Sequence, residues 1–92
     1  MEFKEVLMDI RSELRGADKY AKEANKHKHE YPELADLYHR IASDKLVHAE
    51  MLSKHAKTMA EKNHMNDVWD VEDYMITRDT EDVKSCINRF RG

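Results

Sequence analysis

Residues 27–33 read His27-Lys28-His29-Glu30-Tyr31-Pro32-Glu33, and this stretch decides the fold because it must contain a turn. Proline pushes the residue before it out of the α region, so a helix arriving from the N-terminal side ends before Pro32. Proline itself fits the first turn of a helix, where an N–H group has no partner. The stretch therefore predicts a helix that ends here and a second helix that starts near Pro32.

Apolar residues recur at helical spacing on both sides of this turn, with charged residues between them. The first stripe is Phe3, Val6, Leu7, Ile10, Leu14, Ala17, Ala21 and Ala24, and the second is Leu34, Leu37, Tyr38, Ile41, His48, Leu52, Ala56 and Met59. A connection this short forces the two helices to lie antiparallel. Gly16 lies inside the first stripe, and we expect it to mark close packing against a neighbour.

The remaining residues carry a weaker helical pattern. Asp67 to Ile76 predicts one short helix, and Asp79 or Thr80 could cap a last one that carries Val83, Cys86, Ile87 and Phe90. We therefore predict an all-α protein with a single helical domain over residues 1–92. It consists of a long helical hairpin in residues 1–62 and one or two short helices in residues 63–92.

Composition excludes several functional classes. Residues 1–62 hold twelve acidic and twelve basic side chains, and residues 63–92 hold seven against four, so there is no basic surface for nucleic acid. A lone cysteine, Cys86, cannot form an internal disulfide, which favours a reducing, cytoplasmic location. The N-terminus has no hydrophobic signal core and no segment approaches about 18 consecutive apolar residues, so we expect a soluble protein without a membrane partner.

The register of the hairpin brings polar residues together at its middle. If the turn centres near residue 30 or 31, facing residues have numbers that sum to about 61, so Glu13 lies opposite His48. Steps of seven residues return to nearly the same side of a helix, which places His48 in the row of Leu37 and Ile41 and predicts a core position. Charged groups near a core are costly unless they are paired or bind a metal.

Two interpretations of this polar level are open. In the first, Glu13, Asp44 and His48 supply carboxylate and imidazole ligands to a divalent metal such as iron or manganese. In the second, the Lys45 ammonium takes the place of the metal and forms a partly buried ion pair with Glu13, beside a hydrogen-bonded His48. Spacing alone favours the second interpretation, so we expect no cofactor.

Two stretches carry a resemblance to a known family. They are residues 13–20, Glu-Leu-Arg-Gly-Ala-Asp-Lys-Tyr, and residues 41–52, Ile-Ala-Ser-Asp-Lys-Leu-Val-His-Ala-Glu-Met-Leu. Together with Pro32-Glu33-Leu34, they resemble ferritin-like proteins of the rubrerythrin type and the short encapsulated ferritins, over about residues 3–60. The resemblance implies half of a four-helix bundle that is completed by a second hairpin, and therefore a homodimer or higher oligomer.

The same resemblance implies a di-metal centre built from paired glutamates and Glu-x-x-His motifs. Carried over to this sequence, Glu13 matches the glutamate of the first helix and His48 matches the histidine of the motif. The glutamate three residues before that histidine is replaced by Lys45, and a cation at this position repels metal.

These observations support two hypotheses on function. We favour a non-enzymatic ferritin-like protein that acts by self-association and protein–protein interaction, since no catalytic set apart from a metal centre is present. The alternative is a ferritin-like protein that binds iron or manganese for storage or oxidation. Trp69 and Tyr74, in the acidic segment of residues 67–82, could also anchor a protein partner, although ordinary packing against the hairpin would explain them as well.

Overall fold

A computed structural model describes residues 2–91, which form three α-helices and no strand in that range. Helix α1 spans Phe3–His27, α2 spans Pro32–Lys62 and α3 spans Asn66–Arg89. The all-α class is therefore confirmed. None of these helices is long and apolar enough to cross a membrane.

The first turn lies where the sequence predicts it. Helix α1 ends at His27, whose carbonyl accepts a hydrogen bond from the Tyr31 N–H at 2.8 Å. Tyr31 has left the α region, with φ −132° and ψ 70°, and Pro32 opens α2. Proline thus ends one helix and starts the next. Its ring disfavours the α region at the preceding residue, and its missing N–H needs no partner in the first turn of α2.

The prediction of one or two short helices in residues 63–92, with a break near Asp79 or Thr80, is wrong, because α3 is one continuous helix of 24 residues. Asp79 and Thr80 do not cap a new helix; both are half-buried within it. No proline or glycine interrupts residues 66–89, and Trp69, Ile76 and Val83 follow one another at intervals of seven on the buried side. A continuous buried row outweighs a cap-like dipeptide, since burial stabilises more than a cap does.

Helices α1 and α2 form an antiparallel pair. Contacts between them join low to high numbers: Glu13 meets His48, and the rings of Tyr20 and Tyr38 lie 5.6 Å apart. The buried residues of α1 are those that the sequence predicts from Val6 to Ala24. The prediction for α2 is largely wrong, because its buried residues are Ala35, Ala42, Leu46, Ala49, Ala56 and Ala60.

Alanine explains this difference in α2. A row of alanines lets the backbones of two helices approach closely, and the larger side chains of α2 are then turned away from the contact with α1. Leu37 is 50% exposed and Leu34 is 38% exposed. The residues that look like the core stripe of α2 therefore lie to one side of the core.

Helix α3 packs along one side of the hairpin, parallel to α1. Arg11 forms an ion pair with Glu72, and Asn25 donates a hydrogen bond to the Cys86 carbonyl at 2.9 Å. On α2, the ring of His39 stacks on Phe90 with centroids 4.5 Å apart. Near the other end of the hairpin, the Trp69 ring packs against Phe3, so α3 covers one face of the hairpin along most of its length.

The opposite face has no helix on it. Glu13 follows Arg11 by two residues, about 200° around the helix, and His48 follows His39 by nine residues, about 180° around. We call this side the uncovered face, and it consists of Glu13, Gly16 and Tyr20 of α1 with Leu34, Leu37, Ile41, Asp44, Lys45, His48, Met51, Leu52 and His55 of α2. The whole molecule is a slab, with extents of 50 × 21 × 13 Å between Cα atoms.

Candidate functional site

A polar group lies at the middle of the uncovered face. His48 Nδ1 lies 3.3 Å from Glu13 Oε2, and Lys45 Nζ lies 3.9 Å from the same oxygen. A carboxylate can only accept, so the imidazole nitrogen is the donor in this hydrogen bond. The predicted register is confirmed, since residues 13 and 48 lie opposite each other on neighbouring helices.

His48 is not a core residue, so that prediction is wrong. Its side chain is 57% exposed, whereas those of Glu13 and Lys45 are 26% and 31% exposed. The cause is the alanine row of α2, which turns the stripe of His48 out of the core. The ion pair of Glu13 with Lys45 is thus more shielded from water than the hydrogen bond with His48.

Lys45 rests on Gly16, one turn along α1 from Glu13. A Cβ atom built on Gly16 would lie 2.7 Å from Lys45 Cδ and 3.0 Å from Cε, so a side chain here would force the flexible end of the lysine to shift. The predicted close packing of Gly16 is therefore confirmed, and its neighbour is the stem of the lysine. Sequence reasoning missed this pair although the signal was present, because 16 and 45 also sum to 61.

Asp44 does not join this group. It is exposed, and it lies about 100° around α2 from Lys45, on the side away from α1. Its side chain forms no hydrogen bond or ion pair with Glu13 or His48. A metal role for Glu13, Asp44 and His48 stays a prediction.

The arrangement within one chain does not fit a divalent metal. Residues 2–91 contain no group of three or more His, Cys, Asp or Glu side chains that could hold one. Glu13, the carboxylate that contacts His48, already has the ammonium of Lys45 beside it. A cation at the position of a ligand repels a metal ion and occupies the oxygen that the ion would need.

Apolar side chains surround this polar group along α2. Leu34, Leu37 and Met51 are 38%, 50% and 64% exposed, and Ile41 and Leu52 are half-buried. All five lie within about 60° of His48 around the helix. They form a contiguous apolar stripe, which differs from the isolated apolar residues that any surface contains.

A concavity lies on another side of the molecule, between α1 and α3, and has a volume of about 1160 Å³. Its floor includes Leu14 and Val83, and its rim carries charges of both signs. Asp18 on this rim holds Lys22 at 2.8 Å and raises the pKa of that lysine by hydrogen bonding. Because charges of both signs alternate on the rim, the groove shows no preference for a ligand of either charge.

The acidic segment of residues 67–82 lies on α3. Trp69 is only 5% exposed and its ring packs edge-on against Phe3, with centroids 6.4 Å apart. It is a core residue, which agrees with the interpretation of ordinary packing against the hairpin. Tyr74 is 71% exposed, and a role for it in binding a partner stays a prediction.

Comparison with known proteins gives one match. A family model described as Rubrerythrin matches residues 5–85 of this chain. The match covers α1, α2 and most of α3, and it extends well beyond the two stretches that carry the resemblance. No curated protein and no solved structure matches the chain.

Proposed function

This chain belongs to the rubrerythrin family, and from that premise we propose that it acts by self-association, with two copies pairing through their uncovered faces. The pair is a four-helix bundle made of two hairpins, with an α3 helix on each outer side. In this role the chain is a non-enzymatic member of the family. It serves as an assembly unit that presents the outer surfaces of its helices to protein partners.

The apolar stripe of α2 is the observation that carries the proposal. Leu37 and Met51 expose half or more of their surface in the single chain, on the one broad side of the hairpin that α3 leaves open. Burial of a leucine side chain stabilises by about 1.5–3 kcal/mol. A second copy of the same face provides such burial twice, because a two-fold interface uses the same residues on both sides.

The amount of exposed surface agrees with this proposal. The chain exposes 6427 Å², whereas a compact monomer of 10.9 kDa exposes about 5,600 Å² by the usual scaling with mass. The excess of about 800 Å² is what each partner buries in a standard interface. The radius of gyration, 14.8 Å, also exceeds the value of about 12 Å expected for a compact chain of this length.

The charges at the centre of the face support a structural role. Glu13 and Lys45 neutralise each other within one chain, so the centre of the face carries no net charge, and Asp44 adds a single negative charge toward its outer edge. A pair of this kind does not supply the open coordination positions that metal-based catalysis needs. The polar group therefore supports a role in association rather than in metal-based catalysis.

Sedimentation equilibrium of the purified protein at micromolar concentration tests the proposal. We expect a dimer or higher oligomer for the natural sequence. In Leu37→Glu, a charge is placed in the apolar stripe, and we expect the dissociation constant to rise by about tenfold or more, as for a residue at the centre of an interface.

Val47→Glu is the matched control. Val47 is 52% exposed on the same helix, but it lies about 100° around α2 from His48 and outside the uncovered face. We expect this variant to associate as the natural protein does. The proposal fails if the natural protein sediments only as a 10.9 kDa monomer, or if both variants weaken association equally.

A further inference from the structure

The contact between Lys45 and Gly16 has a precise shape. The lysine stem crosses the helix α1 backbone at Gly16, where any Cβ would lie only 2.7 Å from Cδ. From there the ammonium extends to within 3.9 Å of Glu13 Oε2. A glycine in the middle of a helix costs about 1 kcal/mol relative to alanine, so its presence at this point is explained by the space that it leaves for the lysine.

Lys45 sets the net charge at the centre of the uncovered face. With Lys45 present, Glu13 and Lys45 sum to zero in each chain, and the exposed Asp44, about 40° around α2 from His48, adds one negative charge toward the outer edge of the face. With glutamate at position 45, the contact with α1 would hold two carboxylates in each chain and four in a pair, in addition to Asp44. Like charges brought together at an interface repel strongly, and only added cations would relieve four carboxylates.

We infer that the Lys45 ammonium, held in place by Gly16, is the cation that neutralises Glu13 between paired chains, so that association requires no metal ion. This inference rests on the proposed self-association. It assigns Gly16 and Lys45 to a single site: the glycine provides the space and the lysine provides the charge. His48 completes the site by a hydrogen bond to the same carboxylate oxygen.

The test compares the dissociation constant of the pair in EDTA and in excess Mn²⁺. We expect the natural protein to give the same constant in both. For Lys45→Glu we expect association in EDTA to be about tenfold weaker or more, because four carboxylates then face one another. Mn²⁺ should restore much of it and should bind to the protein in measurable amounts.

Lys54→Glu is the control for the change of charge. Lys54 is exposed on the same helix but lies about 120° around from His48, outside the uncovered face. Its variant should behave as the natural protein does in both solutions. If Lys45→Glu proves unfolded by circular dichroism, Lys45→Met replaces it; that variant should also bind Mn²⁺ poorly and associate more weakly than the natural protein in EDTA.

Gly16→Ala tests the role of the glycine without changing any charge. The added methyl group displaces the lysine stem, so we expect weaker association together with a more stable helix. Ser12→Ala, at an exposed position of the same helix, should leave association unchanged. A merely structural glycine would give a variant that is more stable and associates normally, which would overturn the inference.

The outcomes separate the inference from the proposed function. A natural protein that associates, with a Lys45→Glu variant that associates equally well in EDTA, would overturn the inference and leave self-association intact. A natural protein whose association is lost in EDTA would also overturn it. A natural protein that is monomeric in both solutions would overturn the proposed function and the inference with it.

Discussion

The two broad faces of the hairpin differ in how far their apolar side chains are covered. The face toward α3 is closed by large side chains of the same chain, with Trp69, Ile76 and Val83 each at most 6% exposed. The opposite face keeps Leu37 and Met51 at half exposure or more around a charged centre. The third helix therefore covers one side only, and the exposed apolar stripe is confined to the other.

Removal of the largest side chain on the covered face should have the largest effect. Trp69→Ala deletes a ring that is 5% exposed and contacts Phe3, and such truncations cost about 3–5 kcal/mol. We expect urea denaturation, followed by circular dichroism at fixed protein concentration, to show a loss of this size. Tyr74→Ala, 71% exposed on the same helix, should change the free energy of unfolding by less than about 0.5 kcal/mol.

Equal losses in the two variants would contradict this prediction. They would mean that α3 does not dock with the side that carries Trp69, and the distinction between a covered and an uncovered face would be lost.

Overpacking of the alanine row should have an intermediate effect. Ala49 is 1% exposed, and Ala49→Leu forces a larger side chain into the core beside α1. We expect a loss of about 1–3 kcal/mol in the free energy of unfolding. Met51→Leu, two residues away on the uncovered face, should be close to neutral. A neutral Ala49→Leu would show that α1 and α2 do not approach closely, and would remove the reason for the outward position of Leu37.

A substitution in the turn before α3 should change the free energy of unfolding the least, and it should stabilise the protein, whereas the two substitutions above destabilise it. His64 has a φ of 55°, a conformation that costs about 1–2 kcal/mol for a residue with a side chain. Glycine avoids this cost but loses more backbone entropy on folding, so we expect His64→Gly to raise the free energy of unfolding by less than about 1 kcal/mol. His55→Gly, in an exposed part of α2, should lower it by a similar amount.

If both glycine variants are destabilised, the turn that directs α3 to its side of the hairpin differs from the one described here. The comparison uses the same substitution at two exposed histidines of neighbouring segments, so differences in side-chain chemistry cancel.

The helical class, the first turn and the register at Glu13 and His48 could be predicted because each depends on local rules. Proline fixes the turn, and the turn fixes which residues face each other. The buried side of α2 could not be predicted from hydrophobicity, because the closeness of two backbones selects alanine over leucine at the contact. A row of alanines at residues 35, 42, 49 and 56 was nevertheless a signal of this preference.

Two features were not predicted from the sequence, and the reasons differ: that α3 is one continuous helix, and that the Lys45 side chain packs on Gly16. Asp79 and Thr80 have the composition of a cap, and only tertiary packing shows that the row from Trp69 to Val83 continues through them. Gly16 was identified as a point of close packing, but the partner depends on the register and on the path of a flexible side chain. Long side chains are the least determined by local rules, since their conformation follows from the surroundings.

The contact between Gly16 and Lys45 also has an evolutionary consequence. Lysine and glutamate differ by a single base in the first position of their codons, so one substitution at residue 45 separates a charge-neutral face from an acidic one. The space at Gly16 is then no longer filled by a lysine stem, and alanine there would give a more stable helix. We therefore expect a small residue at position 16 to accompany lysine at position 45 in related sequences.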